Sequence, residues 1–459
     1  MALNTASLVE YDPRSVTLLS FHDAIPRFFD GSDSPRAYLE RCLETIDVRE
    51  PDVKAFVCMN IEWARAAADA ASKRYQDARP LSLVDGMPFG VKDLYETVDM
   101  PTQMNSPVYA GWQGIRDSAH VYALRQGGAV IVGKTTTTEF GSSAPPPTRN
   151  PFDSTRTAGG SSSGSSAAVG ARMLPAASGS QVRGSIVRPA GYCANYALKP
   201  SFGALNRGGG HSTSPSQSVL GVHAGTLEDC WRTAFYISST AGGDPGNPGL
   251  FGKPTLGAAQ KPQRLIRLDS VGWDGTTEAT KAEFERFLSG LTQQGVEIIS
   301  RRDNPRIEDF EQALYRIPDF AFDMLRYEAR WPLGDYHERF PGALSAPLVQ
   351  GLERGRAVTV EGYRNLLAQR AELRAKHISL KDMADAFVLL CSQDPPPLAP
   401  FIGDPVYGDV SSCLAAPAFS LPLLAVEGLP VGLQYMGWPD GDYDLAAQSR
   451  WLVETFKAT

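Results

Sequence analysis

The chain has 459 residues, of which 42% are hydrophobic, 21% charged and 9% aromatic, a composition typical of a folded globular protein. Its net charge of −7 comes from 51 acidic and 44 basic residues spread along the chain, which argues against direct binding to nucleic acid. Residues 1–16 lack the basic flank and apolar core of a secretory signal, and no apolar run is long enough to span a membrane. The six cysteines include no C-x-x-C pair, so we expect reduced thiols, no metal site and a cytoplasmic location.

The order of helical, glycine-rich and strand-like segments along the sequence predicts four consecutive parts of a single domain, residues 1–459. They are an N-terminal helical layer (1–80), a glycine-rich core segment (83–225), a helical insertion or cover (242–380) and a C-terminal return to the core (386–459). Helical spacing in RAYLERCLETID and IEWARAAADAASKRYQDA supports the first part, and AFVLL and GLPVGLQYMG are strand candidates in the last. Strands near both ends of the chain predict one α/β sheet that the middle region covers.

Two short motifs point to functions that their contexts argue against. Gly128 to Thr135, GAVIVGKT, matches the phosphate-binding loop pattern, but its middle residues form a strand candidate where that loop needs a flexible turn. Gly160 to Gly164, GSSSG, matches the nucleophile elbow of α/β-hydrolases with Ser162 as nucleophile. The elbow needs a preceding strand and a late histidine, whereas RNPFDSTRTA is polar and no histidine follows His377.

A serine nucleophile without a histidine needs another base, and a lysine serves if burial keeps it neutral. Lys92 lies in MPFGVKD, where apolar and glycine neighbours favour burial. Asp93 is an alternative partner that would keep Lys92 charged. The other interpretation of Lys92 is a surface strand lysine.

The longest motif runs from Gly159 to Gly203 and reads GGSSSGSSAAVGARMLPAASGSQVRGSIVRPAGYCANYALKPSFG. This segment closely resembles the signature of the amidase signature family. The flanking PFGVKD, NPFDSTRT and PAFSLPLLAVEGLPVGLQYMG resemble further segments of that family, so the likeness spans residues 83–225 and 386–457. A flexible Gly/Ser linker is the other interpretation, and the apolar and proline residues between the serines argue against it.

The resemblance implies a large mixed β-sheet covered on both sides by helices, and an amidase that needs no metal and no cofactor. It places the nucleophile on Ser185, the bridging serine on Ser161, after a cis peptide bond, and the base on Lys92. The backbone N–H groups of Val182, Arg183, Gly184 and Ser185 would form the oxyanion hole. The implied enzyme forms an acyl-enzyme from a small-molecule amide.

Three departures from the commonest family pattern bear on the substrate. Arg183 replaces a glycine in the oxyanion turn, which would strain the turn if φ had to be positive. Gln181 replaces a carboxylate, and Arg188 stands three positions after the nucleophile, as in malonamidase-like members, where this arginine holds a substrate carboxylate. Gln181 and Arg188 are therefore candidate substrate-binding residues, although Arg188 could equally pair inside the protein.

The second functional interpretation is the A subunit of a glutamyl-tRNA amidotransferase, which works with partner subunits. The motif differences favour a free-standing small-molecule amidase that binds neither nucleic acid nor membrane. An esterase using Ser162 and a nucleotide-binding protein are weaker alternatives. The sequence leaves open the oligomeric state, a homodimer included, and the choice among amide, urea, hydrazide and ester substrates.

Overall fold

One mixed β-sheet organises the computed structural model, which describes residues 10–142, 144–211 and 213–457. Across these ranges the sheet has 11 strands. They are β1 (Phe56–Met59), β2 (Pro88–Lys92), β3 (Val130–Thr135), β4 (Ala176–Gln181), β5 (Tyr196–Lys199), β6 (Val219–Ala224), β7 (Arg264–Arg267), β8 (Glu297–Ile299), β9 (Ala386–Leu390), β10 (Ala418–Val426) and β11 (Leu429–Met436).

The strand order is β1-β3-β2-β4-β6-β5-β10-β11-β9-β7-β8. Strand β2 runs parallel to both β3 and β4, and β7 runs parallel to both β8 and β9. The β5 and β10 strands pair antiparallel, with Ala418 opposite Lys199, so the C-terminal part joins the glycine-rich segment in one sheet. The predicted mixed α/β sheet built from both ends of the chain is confirmed.

The helices precede, separate and follow these strands. They are α1 (Ile25–Asp30), α2 (Pro35–Val53), α3 (Ile61–Gln76), α4 (Ala119–Gln126), α5 (Ser163–Gly170), α6 (Val187–Tyr192), α7 (Leu227–Ala241), α8 (Glu278–Gln293), α9 (Pro305–Leu314), α10 (Ile317–Arg339), α11 (Ala346–Ala357), α12 (Val360–Ser379), α13 (Val406–Cys413) and α14 (Asp442–Lys457). Among the described residues, no helix combines the length and the apolar character needed to cross a bilayer.

Helices α2 and α3 form where the sequence supplies caps and apolar spacing. The Ser34 side chain accepts a hydrogen bond from the backbone N–H of Ala37 at the start of α2, and Asn60 caps α3 in the same way. The middle region is mostly helical, as expected, but it also supplies β7 and β8 to one edge of the sheet. Residues 242–380 are therefore part of the sheet as well as a cover.

Helix α5 is buried along its whole length, which explains its small residues. A Cβ atom added at Gly164 would lie 2.2 Å from the carbonyl oxygen of Ala55, and one at Gly170 would lie 2.2 Å from that of Cys193. Only glycine allows this close approach of backbones. The helix therefore packs tightly against the backbone at Ala55 and Cys193, and it also contacts β4, which holds the serines at its start in a fixed position.

Candidate active site

The candidate residues come from neighbouring segments at one edge of the sheet. Lys92 is the last residue of β2, and Gln181 is the last residue of β4. Because β2 and β4 are parallel neighbours, their carboxyl ends meet at the same edge. Ser185 follows in the turn between β4 and α6, and Ser161 lies just before α5.

Lys92 is completely buried among serine side chains. Its Nζ atom lies 2.7 Å from Ser161 Oγ, 2.9 Å from Ser162 Oγ and 3.0 Å from Ser180 Oγ. The structure thus brings together two of the three residues that the sequence predicts for the catalytic triad, Lys92 and Ser161. Ser180 was missed in the sequence, although two-residue alternation in β4 would place Ser178 and Ser180 on one face.

Burial lowers the pKa of Lys92 well below its ordinary value, because the charged amine would lose its hydration. Asp93, the alternative partner considered from the sequence, pairs with Lys134 instead, at 3.1 Å. The Asp93 carboxylate also accepts hydrogen bonds from the backbone N–H groups of Gln103 and Met104. No carboxylate of the described chain forms an ion pair with Lys92, so the neutral amine is favoured and can accept a proton.

Ser185 is partly exposed, whereas Ser161 is buried with 4% of its surface accessible. The carbonyl oxygen of Ser185 accepts a hydrogen bond from the backbone N–H of Ser162 at 3.3 Å. This bond holds the predicted nucleophile beside Lys92 and the serines around it. The Ser185 hydroxyl has no hydrogen-bond partner within the described ranges. The transfer from Ser185 to Ser161 therefore stays a prediction.

The turn from residue 182 to 185 presents backbone donors. The N–H groups of these residues make no hydrogen bond to the rest of the described chain, so they are available to an oxyanion. Arg183 is not among the described residues with positive φ, so its side chain introduces no steric strain there. That side chain points to α13, where it forms a bidentate pair with Asp409 at 2.7 and 2.5 Å.

Gln181 makes contacts that differ from the predicted substrate contact. Its side-chain oxygen accepts hydrogen bonds from the backbone N–H groups of Ile186 at 2.8 Å and Val187 at 3.1 Å. Its amide nitrogen donates to Ser412 Oγ at 3.0 Å and to the carbonyl of Gly408 at 3.3 Å. Gln181 is completely buried and ties the start of α6 to α13, which corrects the expectation.

Arg188 is likewise turned into the protein, although the sequence made it a candidate clamp for a substrate carboxylate. One terminal nitrogen donates to the carbonyl of Gly160 at 2.7 Å, and the other donates to that of Gly403 at 2.9 Å. The side chain is 3% exposed. It therefore supports the peptide between Gly160 and Ser161, which is cis as the resemblance implies.

The two alternative motifs lie in unsuitable places. Ser162 is completely buried, and its hydroxyl contacts Lys92 and the backbone of Ser180, so it is not presented as an exposed elbow nucleophile. Residues 130–135 of the phosphate-loop motif form β3. Lys134 is buried and forms an ion pair with Asp93, so it is unable to reach a nucleotide phosphate. Within the described ranges, no group of three or more His, Cys, Asp or Glu side chains is placed to hold a metal ion.

The chain is similar to one protein family and to several known proteins. The family model described as Amidase matches residues 37–445. The A subunit of the glutamyl-tRNA(Gln) amidotransferase from Chloroflexus aurantiacus is 30% identical over an alignment that covers 87% of this chain and 89% of that protein.

Among solved structures, one described as an amidase is similar, with a TM-score of 0.82 and 25% identity over 95% of this chain and 99% of the other. The peptide amidase of Stenotrophomonas maltophilia shares the fold with a TM-score of 0.74 and 21% identity, over 95% of this chain and 96% of the other.

Proposed function

The chain belongs to the amidase family, and on this premise we propose that it hydrolyses small-molecule amides through an acyl-enzyme on Ser185. Ser161 relays protons between Ser185 and Lys92. The observation that carries the proposal is the completely buried Lys92 amine, 2.7 Å from Ser161 Oγ and without a carboxylate partner in the described chain. A neutral amine in that position is a base that needs no histidine.

The reaction begins when Ser185 Oγ attacks the amide carbon and its proton passes through Ser161 to Lys92. The oxygen of the tetrahedral intermediate accepts hydrogen bonds from the N–H groups of residues 182–185, a contribution of about 3–4 kcal/mol for each essential donor. Lys92 then returns the proton through Ser161 to the leaving nitrogen, and the C–N bond breaks. A water molecule, deprotonated along the same path, releases the acid and regenerates Ser185.

A second candidate function is the glutaminase step of an amidotransferase, and the similarity to the amidotransferase protein of Chloroflexus aurantiacus favours it. That function needs partner subunits that receive the ammonia. The contacts of Gln181 and Arg188 inside the protein remove two arguments that separated the candidates in the sequence. The choice therefore depends on whether the chain works alone.

The test is to purify the chain without partners and to assay ammonia or amine release from short amides, glutamine included. We expect sustained turnover on at least one amide other than glutamine. Ser185→Ala serves as the control for contaminating hydrolases, and it should be inactive. Activity that appears only when the other components of an amidotransferase are added, and only on glutamine, would support the second candidate.

A further inference from the structure

Arg326, on α10, is a buried cation without an anion. Only 6% of the residue is exposed, and it forms no ion pair with any carboxylate of the described chain. One terminal nitrogen donates to Ser142 Oγ at 3.3 Å, while its Nε atom is buried without any partner. Burying an unpaired charge is unfavourable, so such a group calls for an explanation.

Three guanidinium groups surround the ring of Phe322. Arg326 lies 4.6 Å from the ring centroid, Arg354 4.8 Å and Arg183 5.5 Å. Arg183 pairs with Asp409 and Arg354 pairs with Asp323, which leaves Arg326 as the excess positive charge of this cluster. Burial, and then the charges of Arg183 and Arg354, lower the pKa of Arg326 to about 10, so it is still charged at neutral pH.

The Arg326 cluster borders the candidate active site on two sides. Arg183 belongs to the oxyanion turn. Ser142 follows Gly141, where an added Cβ atom would lie 3.6 Å from Ser161 Oγ. Tyr336 stacks on Phe140 in the same loop, with ring centroids 5.1 Å apart, so α10 is fixed against this loop at two points.

Packing holds the guanidinium of Arg326 in place. A Cβ atom added at Gly351 of α11 would lie 2.5 Å from Arg326 Cζ, so the glycine makes room for the flat group, and Phe322 contributes a ring to its surroundings. A guanidinium held in this way loses little entropy when it binds a carboxylate. Arg188, the residue that the sequence suggested for this role, is already bound to two carbonyl oxygens.

We propose that Arg326 binds a carboxylate on the substrate, so that the enzyme prefers amides that carry a negative charge. This inference rests on the proposed function, since the carboxylate belongs to the molecule whose amide Ser185 attacks. A bound carboxylate supplies the missing counter-charge and accepts hydrogen bonds from the guanidinium. Specificity then resides in the middle region of the chain, while the chemistry resides at the edge of the sheet.

The test compares Arg326→Gln and Arg326→Lys with the wild type on matched pairs of substrates. Succinamate and neutral succinamide place the charge on the acyl side, and N-benzoylglycine and N-propylbenzamide place it on the amine side. We expect Arg326→Gln to lower kcat/KM about 10- to 100-fold on the charged member of one pair, with less than about a threefold change on its neutral partner. Arg326→Lys should retain part of the preference.

Arg354→Gln is the matched control, because Arg354 faces the same ring but has a carboxylate partner and a side chain 49% exposed. It should leave the preference unchanged. Equal losses on charged and neutral amides in Arg326→Gln, or an equal loss of preference in Arg354→Gln, would overturn the inference.

Binding separates this inference from the proposed function. In Ser185→Ala, the charged amides should raise the melting temperature more than the neutral ones, and Arg326→Gln in that background should remove the difference. Selective binding without any turnover in the wild type would contradict the proposed function and leave the carboxylate site standing. Turnover without selective binding would contradict only the carboxylate site.

Discussion

The protonation state of Lys92 follows from its surroundings. The side chain is completely buried, and its neighbours are hydroxyl groups, which are poorer partners for a positive charge than a carboxylate. Desolvation therefore dominates and lowers the pKa. Both the activity and the stability of the protein should depend on pH through this group.

The pH dependence of kcat/KM should show an acid limb governed by Lys92. Below its pKa the amine is protonated and does not accept the proton of Ser185, so activity falls as the pH falls. The midpoint should lie well below 10.5, the ordinary value for lysine. A steady-state pH profile on a substrate without ionisable groups measures it, and a limb centred at 10 or above would contradict the assignment.

Lys92→Met should abolish turnover and change the pH dependence of stability. The unfolded chain binds a proton on Lys92 that the folded chain lacks, so wild-type stability decreases as the pH falls from 10.5 toward the folded pKa. Methionine removes this penalty. The difference in melting temperature, variant minus wild type, should therefore be highest at low pH and should decrease toward pH 10. A difference that does not vary with pH would mean that Lys92 is charged in the fold.

The sequence proposes the reacting residues but not the contacts that support them. Lys92, Ser161 and Ser185 lie in segments that resemble a long motif, so their identity can be proposed from the sequence alone. The contacts of Gln181 and Arg188 were not predictable, because their partners Gly408 and Gly403 lie more than 200 residues away. Only the folded chain shows that these side chains are already engaged.

Among the elements, the turn between β4 and α6 depends on α13. Gln181, which precedes the turn, binds Ser412 of α13, and Arg183, which lies in the turn, binds Asp409 of α13. The geometry of the backbone donors at 182–185 is therefore set by a helix from the other end of the chain. Removing a contact between this turn and α13 should lower catalytic activity as well as stability.

Asp409→Asn should lower the free energy of unfolding by about 3 kcal/mol, because it leaves the guanidinium of Arg183 without its counter-charge. This is the lower end for breaking a buried pair, since the Arg183 side chain is 19% exposed. We expect kcat to fall more than KM rises, as the oxyanion donors lose their support. Denaturant unfolding and steady-state kinetics measure the two effects.

Asp323→Asn is the control for this variant. It removes the partner of Arg354 in an exposed pair, where the side chains are 49% and 29% accessible, and should change the unfolding free energy by less than about 1 kcal/mol. If both variants changed the free energy of unfolding by the same small amount, α13 would not be holding the turn.

The elements that the sequence failed to predict are short. Strands β7 and β8 have four and three residues, too few for a clear alternation, and they lie between helices with strong periodicity. The phosphate-loop match is the opposite case, because the sequence already indicated a strand at its middle residues. Residues 130–135 form β3, where every residue is buried.

At the scale of the whole molecule, one sheet joins the parts that the sequence distinguishes. Strand β1 from the N-terminal part, β7 and β8 from the middle and β9 to β11 from the C-terminal part all belong to it. Within the described residues, no part therefore has a sheet of its own, and the single domain predicted over residues 1–459 should unfold as a unit.

Calorimetry should accordingly show one cooperative transition, and the loss of near-UV circular dichroism should coincide with it. Whichever charged amide binds selectively to Ser185→Ala should shift the whole transition. Two separate transitions, with only one responding to the ligand, would show that residues 242–380 unfold independently of the sheet.

Covalent labelling with a fluorophosphonate tests whether Ser185 is the nucleophile. Trypsin cleaves after Arg156, Arg172 and Arg183 but resists Arg188-Pro189 and Lys199-Pro200, so Ser161 and Ser162 fall on peptide 157–172 and Ser185 on peptide 184–207. We predict one added probe mass, located by fragmentation on Ser185, with labelling strongly reduced in Lys92→Met. A probe on Ser162, or labelling of Ser185→Ala at the wild-type rate, would contradict the account.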